Sequence, residues 1–204
     1  MKKFLWLVLF LAIAPLARAD GARTFVLAPA GDVAPGLAEN VRVYLENNAE
    51  VTVKLAAPVP VAAGQDLDAL GRAAAQALAE SDVAVIVLAQ PADEQPLDVS
   101  NPQERYAVLN LARLASGPDD KSHLSRRAGQ MGLRLMTRQL GMSPCPFPLC
   151  VLVGFDQVAD LDGMSGNFCP PCRDRFLRLA RKAGVALAGD AAVEPAPLEL
   201  PAPK

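Results

Sequence analysis

Histidine is almost missing from this chain: His123 is the only one among 204 residues. A hydrolytic zinc site needs about three protein ligands and usually a nearby carboxylate to handle protons. One imidazole cannot assemble such a site alone. The same scarcity removes the base that a serine or cysteine nucleophile normally requires, unless His123 itself serves. In "DDKSHLS" that residue reads as a solvent-side position before a helix. An acid-histidine metal site with Asp119 and Asp120 is the sharper alternative.

Other absences narrow the field further. Aromatic residues make up 5% of the chain, and the single tryptophan, Trp6, lies in the first residues. No basic patch is large enough to track a phosphate backbone, which argues against nucleic acid as a partner. "AGDVAPG" after the first apolar run has glycines but neither the phosphate-loop lysine nor the GxGxxG order, so it reads as a turn into a helix. The one sustained apolar run is Phe4 to Leu16, preceded by Lys2 and Lys3 and followed by Ala17-Arg18-Ala19. That pattern is an export signal over residues 1–19, too short for a span of about 20 apolar residues. Its removal leaves 17 basic and 22 acidic side chains. The expected product is a mildly acidic protein delivered to a periplasm or outside the cell, with no membrane association after cleavage. Residues 189–204, "GDAAVEPAPLELPAPK", alternate proline with small and acidic residues and read as a disordered tail. One domain over 20–188 remains, large enough for a sizeable core.

Along that domain "RTFVLAP" (Arg23 to Pro29) suits a buried strand. Leu37, Val41, Tyr44 and Leu45 recur at helical spacing, with Pro35 placed in the first turn. Val51, Val53 and Leu55 alternate with polar residues as a half-buried strand would. "QDLDALGRAAAQALAESD" is an alanine-rich helix capped by Asp66. "DVAVIVLAQ" reads as a central strand buried on both faces. "ERYAVLNLARL" reads as a further strand, with Ala107, Leu109 and Leu111 on one face. Ala128, Met131, Leu135 and Leu140 mark a helix from Ser125 to Gly141. Phe176, Leu177 and Ala180 mark another from about Arg173 to Ala183. The stretches 93–103 and 116–121 read as polar loops. The order is that of an α/β domain: a mixed sheet with flanking helices in a three-layer-like arrangement.

All four cysteines fall in one segment: Cys145 and Cys150 separated by four residues, then Cys169 and Cys172 separated by two. Two short-spaced pairs joined by a loop can place four sulfurs around one structural Zn²⁺. Two local disulfides, Cys145–Cys150 and Cys169–Cys172, are the alternative for an exported chain. Closing six residues contributes only about 2 kcal/mol per bridge, whereas structural zinc in small domains contributes about 10 to 16 kcal/mol. "CPPC" before a helix also has a thiol-redox reading. A thioredoxin-type pair would come early, with a long βαβ continuation behind it; here only about 30 residues follow.

These residues carry a resemblance. "RLMTRQLGMSPCPFPLC" (Arg134 to Cys150) and the later "CPPC" resemble the archaemetzincins, whose pattern is HExxHxxGxxHC, four residues, a second Cys, then xM, and later CxxC. "FVLAPAGDVAPGLAENVRVYLE" and "YAVLNLARL" resemble that family's opening strand and helix and the strand before its site helix. The resemblance covers about Arg23 to Gly184 and implies a metzincin-like fold with a four-cysteine subregion near the C-terminus. Anchoring on Gly141 and Cys145 puts Arg134 at the first histidine, Leu135 at the catalytic glutamate, Arg138 at the second histidine and Pro144 at the third. Leu152 stands where the family has the methionine beneath its metal. Arginine has no lone pair to offer a metal, and leucine and proline have no ligand atom in the side chain. The family's activity implies a zinc peptidase; the residues imply a pseudopeptidase, with an active peptidase using displaced ligands as the competing reading.

Arg127, Gln130, Arg134 and Arg138 recur at three, four and four, along the helix face on which the family displays its histidines. They form either a basic groove that holds a carboxylate or an acidic peptide by charge-assisted hydrogen bonds, or an arginine stripe paired with the chain's own acids.

Overall fold

The structure is a computed structural model that describes residues 22–34, 36–91, 95–115 and 121–188, the side chains of residues 121 and 122 excepted. The expected export signal and C-terminal tail lie outside these residues, as do Pro35, Asp119, Asp120 and nearly all of the loop 116–121. No helix among the described residues is long and apolar enough to cross a membrane.

Strand β1 (Thr24–Gly31) leads into α1 (Leu37–Ala49), β2 (Val53–Leu55), α2 (Leu67–Ala75) and β3 (Asp82–Gln90). Next come β4 (Asp98–Asn101), β5 (Tyr106–Asn110), α3 (Leu111–Leu114), α4 (Lys121–Gln139), α5 (Asp160–Gly163) and α6 (Pro170–Lys182). The five strands form one sheet in the order β2-β1-β3-β5-β4. Only β4 runs antiparallel. Side chains alternate across this sheet as the pleat requires. Phe25, Leu27, Ile86, Leu88, Ala107 and Leu109 face one cluster with α1 and α4. Val26, Ala28, Val85, Val87, Tyr106 and Val108 face a second, smaller cluster with α2. The result is a helix, sheet, helix sandwich with the larger core on the α1 and α4 side.

Strand β3 is buried from Asp82 to Ala89, as a continuous apolar run predicts for a central parallel strand. Asp66 caps α2 by accepting from the Ala69 N–H at 2.6 Å. Close helix approach is set by glycine: a Cβ at Gly129 would lie 2.5 Å from the Tyr44 ring, and one at Gly71 would lie 2.2 Å from the Tyr106 ring.

Several boundaries differ from those the sequence predicts, each for a local reason. The strand expected to run through Leu111 stops at Asn110, whose side chain accepts from the Ala112 N–H and turns the chain into α3. The polar stretch 93–103 contains β4, a half-buried edge strand whose polar residues give no alternation; pairing with β5 holds it. β2 is only three residues long, and Leu55 at its end is 45% exposed, so the expected alternation fails at an edge. α1 starts at Leu37, after Gly36 at φ 82°. α4 starts four residues before Ser125, which puts His123 inside the helix. α6 starts at Pro170, with proline in its first turn and Cys169 at its N-cap.

The last described residues return to the first. Arg23 donates its N–H to the Gly184 carbonyl at 2.7 Å, and Ala186 donates back to the Arg23 carbonyl at 2.9 Å. Residues 184–188 also bridge the Glu50 to Thr52 segment, so these residues close one end of the sheet.

Candidate metal centre and the converted cleft

After α4 the chain runs without regular structure from Met142 to Ala159, and short backbone hydrogen bonds shape it. Cys145 donates to the Leu152 carbonyl at 3.0 Å, Val153 to Cys150 at 3.0 Å and Val151 to Asn167 at 2.8 Å. These bonds fold Cys145 and Cys150 back over α6. There the N-cap position and first turn supply Cys169 and Cys172. Stacking of Phe168 on Phe176, with ring centroids 5.3 Å apart, fixes the approach to Cys169.

All four sulfurs lie within 4.8 Å of one another. Cys145 Sγ and Cys169 Sγ, from different pairs, are 3.8 Å apart. A tetrahedron of sulfurs around zinc, at a Zn–S distance of about 2.3 Å, has edges of about 3.8 Å. The four thiols therefore form one centre able to hold one zinc ion. Two of the sulfurs accept backbone N–H bonds, Cys145 from Phe147 at 3.4 Å and Cys150 from Cys169 at 3.5 Å. Such donors stabilise thiolate and orient metal ligands. Burial pushes the Cys150 and Cys172 thiols up, and neighbouring thiols add to the rise at Cys172. Burial acts the same way on Cys169, but the Cys172 backbone N–H and the neighbouring thiols outweigh it and hold that group below its usual value.

The α4 face carries the other predicted residues, and the structure brings three of them under cover. Arg127, Gln130 and Arg134 are 3%, 1% and 6% exposed. Arg127 makes a two-pronged contact with Asp162 of α5, with Nε 2.8 Å from Oδ1, and donates to the Leu114 carbonyl at 2.7 Å. Gln130 Nε2 reaches the Met164 carbonyl at 3.3 Å. Arg134 donates to the Val153 carbonyl and lies 4.9 Å over the Phe155 ring. Arg138 is exposed and pairs with Asp98 of β4. Much of the expected basic groove is thus filled by the chain's own acids and carbonyls. None of those acceptors was legible in the sequence, because Asp98 and Asp162 stand 40 and 35 residues from the arginines they hold.

Leu135, at the position the resemblance aligns with a catalytic glutamate, is fully buried, and Pro144 is exposed. Leu152 is 3% exposed and packs into the main core. Among the described residues the four cysteines are the one group of three or more His, Cys, Asp or Glu side chains that could hold a metal ion. The donor set at Arg134, Leu135, Arg138 and Pro144 does not fit a hydrolytic zinc.

His123 is exposed, its Nδ1 3.3 Å from Asp162 Oδ1. The hydrogen bond from Arg127, aided by His123, lowers the Asp162 carboxyl to about 2. An unfolded aspartate titrates near about 3.9. The folded value being lower, this contact stabilises the protein fully above about pH 4 and is lost as pH falls towards 2. Urea midpoints recorded from pH 6 to 2 should show an acid decline that is shallower in Asp162→Asn than in the parent chain.

The fold is that of the archaemetzincins. The chain superposes on an archaemetzincin from Methanopyrus kandleri with a TM-score of 0.64 and 17% identity, over 81% of this chain and 99% of that one. A zinc-dependent peptidase from Methanocorpusculum labreanum gives 0.62 and 18%, over 74% and 99%. An archaemetzincin from Archaeoglobus fulgidus, complexed with malonate, gives 0.55 and 16%, over 74% and 99%. No protein-family model and no curated protein matches the sequence.

Proposed function

From that shared fold we propose that this chain is an exported, non-catalytic relative of the zinc peptidases, a pseudopeptidase that keeps the scaffold and one structural zinc. The observation that carries the reading is the occupancy of the cleft. A guanidinium, an isobutyl group, a second guanidinium and a pyrrolidine ring stand at the four aligned positions, and none can coordinate a hydrolytic metal or carry its protons. Leu135 is turned into the core, so no carboxylate replaces the missing general base. The four-cysteine centre holds Met142 to Cys172 together, and the cleft acts as a binding surface for an acidic peptide or protein.

The mature protein, purified without chelator, is expected to carry about one zinc per chain, released only by denaturation or thiol modification. Peptide libraries are expected to remain uncut. Comparing native with denaturing mass spectrometry checks the metal, signal removal and any disulfide together. A second, loosely held zinc together with cleavage that stops on chelation would reinstate the peptidase reading.

A further inference from the structure

The polar groups under the cleft do not balance. Arg134 is 6% exposed, yet its direct contacts are a backbone carbonyl and an aromatic ring. Neither is an anion. Cys150 and Asp98 act on it only from a distance, and Asp98 is already held by Arg138. The Arg134 Nε–H is buried with no acceptor, and one turn earlier the Gln130 Oε1 is buried with no donor. A buried cation with no anion in contact is unfavourable, and each orphaned group adds the penalty of a lost hydrogen bond. Burial, with Arg138 nearby, draws the Arg134 guanidinium down to about 10. It stays cationic at neutral pH.

We propose that Arg134 anchors a carboxylate in the converted cleft, with Arg138 as the second cation at its rim. Gln130 Oε1 then accepts from a donor on the ligand or from a water that the ligand holds. This deepens, and rests on, the reading that the cleft has no catalytic zinc. The contacts select the ligand class. Asp98 is held by Arg138, and no anion touches Arg134, whose guanidinium meets only a carbonyl and a ring. A carboxylate supplies one negative charge and two oxygens that match the guanidinium fork. A phosphate carries more charge than the site can offset and would face Asp98 and the Gln130 oxygen. The carboxylate comes either from a small molecule or from a peptide, as a chain end or an acidic side chain.

The test is calorimetric titration of the full mature chain at neutral pH and low salt, with acetate, N-acetylglycine, an amidated tetraglutamate peptide and inorganic phosphate. One-to-one saturable binding is expected for at least one carboxylate, tighter than for phosphate. Response to acetate or N-acetylglycine assigns a small-molecule or chain-end source, and response to the peptide alone assigns acidic side chains. Arg138→Gln is expected to weaken binding about tenfold and Arg134→Met to abolish it. If Arg134→Met does not fold, Arg134→Lys keeps the charge without the fork and should bind more weakly than the parent. Failure of every carboxylate to bind the parent chain overturns the proposal, as does equal or tighter binding of phosphate. So does undiminished binding by a folded Arg134 variant. Chelator-sensitive peptide cleavage would instead overturn the non-catalytic reading, and the two results are read from separate measurements.

Discussion

Cys169→Ala is expected to be the most damaging single substitution in the chain. Cys169 is 5% exposed, sits at the N-cap of α6, and is 3.8 Å from Cys145 Sγ while its N–H meets Cys150 Sγ. Removing one of four thiolates from a closed site forfeits most of a metal contribution of about 10 to 16 kcal/mol. A whole domain is stable by only about 5 to 15 kcal/mol. The variant should lack zinc and expose residues 142–169 to limited proteolysis. Two local disulfides would behave differently, because losing one costs about 2 kcal/mol. A Cys169→Ala protein that melts within a few degrees of the parent would count against the metal centre.

Leu135→Glu is expected to be nearly as severe, although it restores the residue type that the resemblance places there. Leu135 is 0% exposed in the larger core. Its loss resembles a large-to-small core change, about 2 to 5 kcal/mol, and the incoming carboxylate would be desolvated besides. Burial of that kind raises a carboxyl by up to about 3 to 5 pKa units, so the group would be neutral at pH 7 and useless as a base. A fall in the urea midpoint equivalent to about 4 kcal/mol or more is the expected reading. A variant as stable as the parent, with its new carboxyl group ionised at pH 7, would mean that this position opens to the cleft after all.

Much of the fold is legible in the sequence because its signals are local. The run from Asp82 to Ala89, the Asp66 cap and the spacing of Leu37, Val41 and Leu45 each report on one element, and each element forms. The paired cysteine spacing is equally local but leaves one four-sulfur centre and two separate disulfides open; the fold brings the two pairs together, with all four sulfurs within 4.8 Å of one another. What stays hidden depends on tertiary pairing. β4 exists only because β5 lies beside it, and the end of β5 depends on a side-chain cap at Asn110 that competes with an apolar pattern running on to Leu114. Spacing does place the α4 arginines on one face, but whether that face meets solvent or protein depends on where Asp162, Val153 and Phe155 arrive. Periodicity carries no information about that.

The hydrogen bonds between Arg23 and residues 184–186 tie the beginning of the domain to its end. In synthesis, β1 therefore waits for some 160 further positions before its flank is complete. Contacts of such long sequence separation slow folding, since the loop entropy is spent before they form. The flank of β1 is therefore completed only after α6, the last helix among the described residues, has been made.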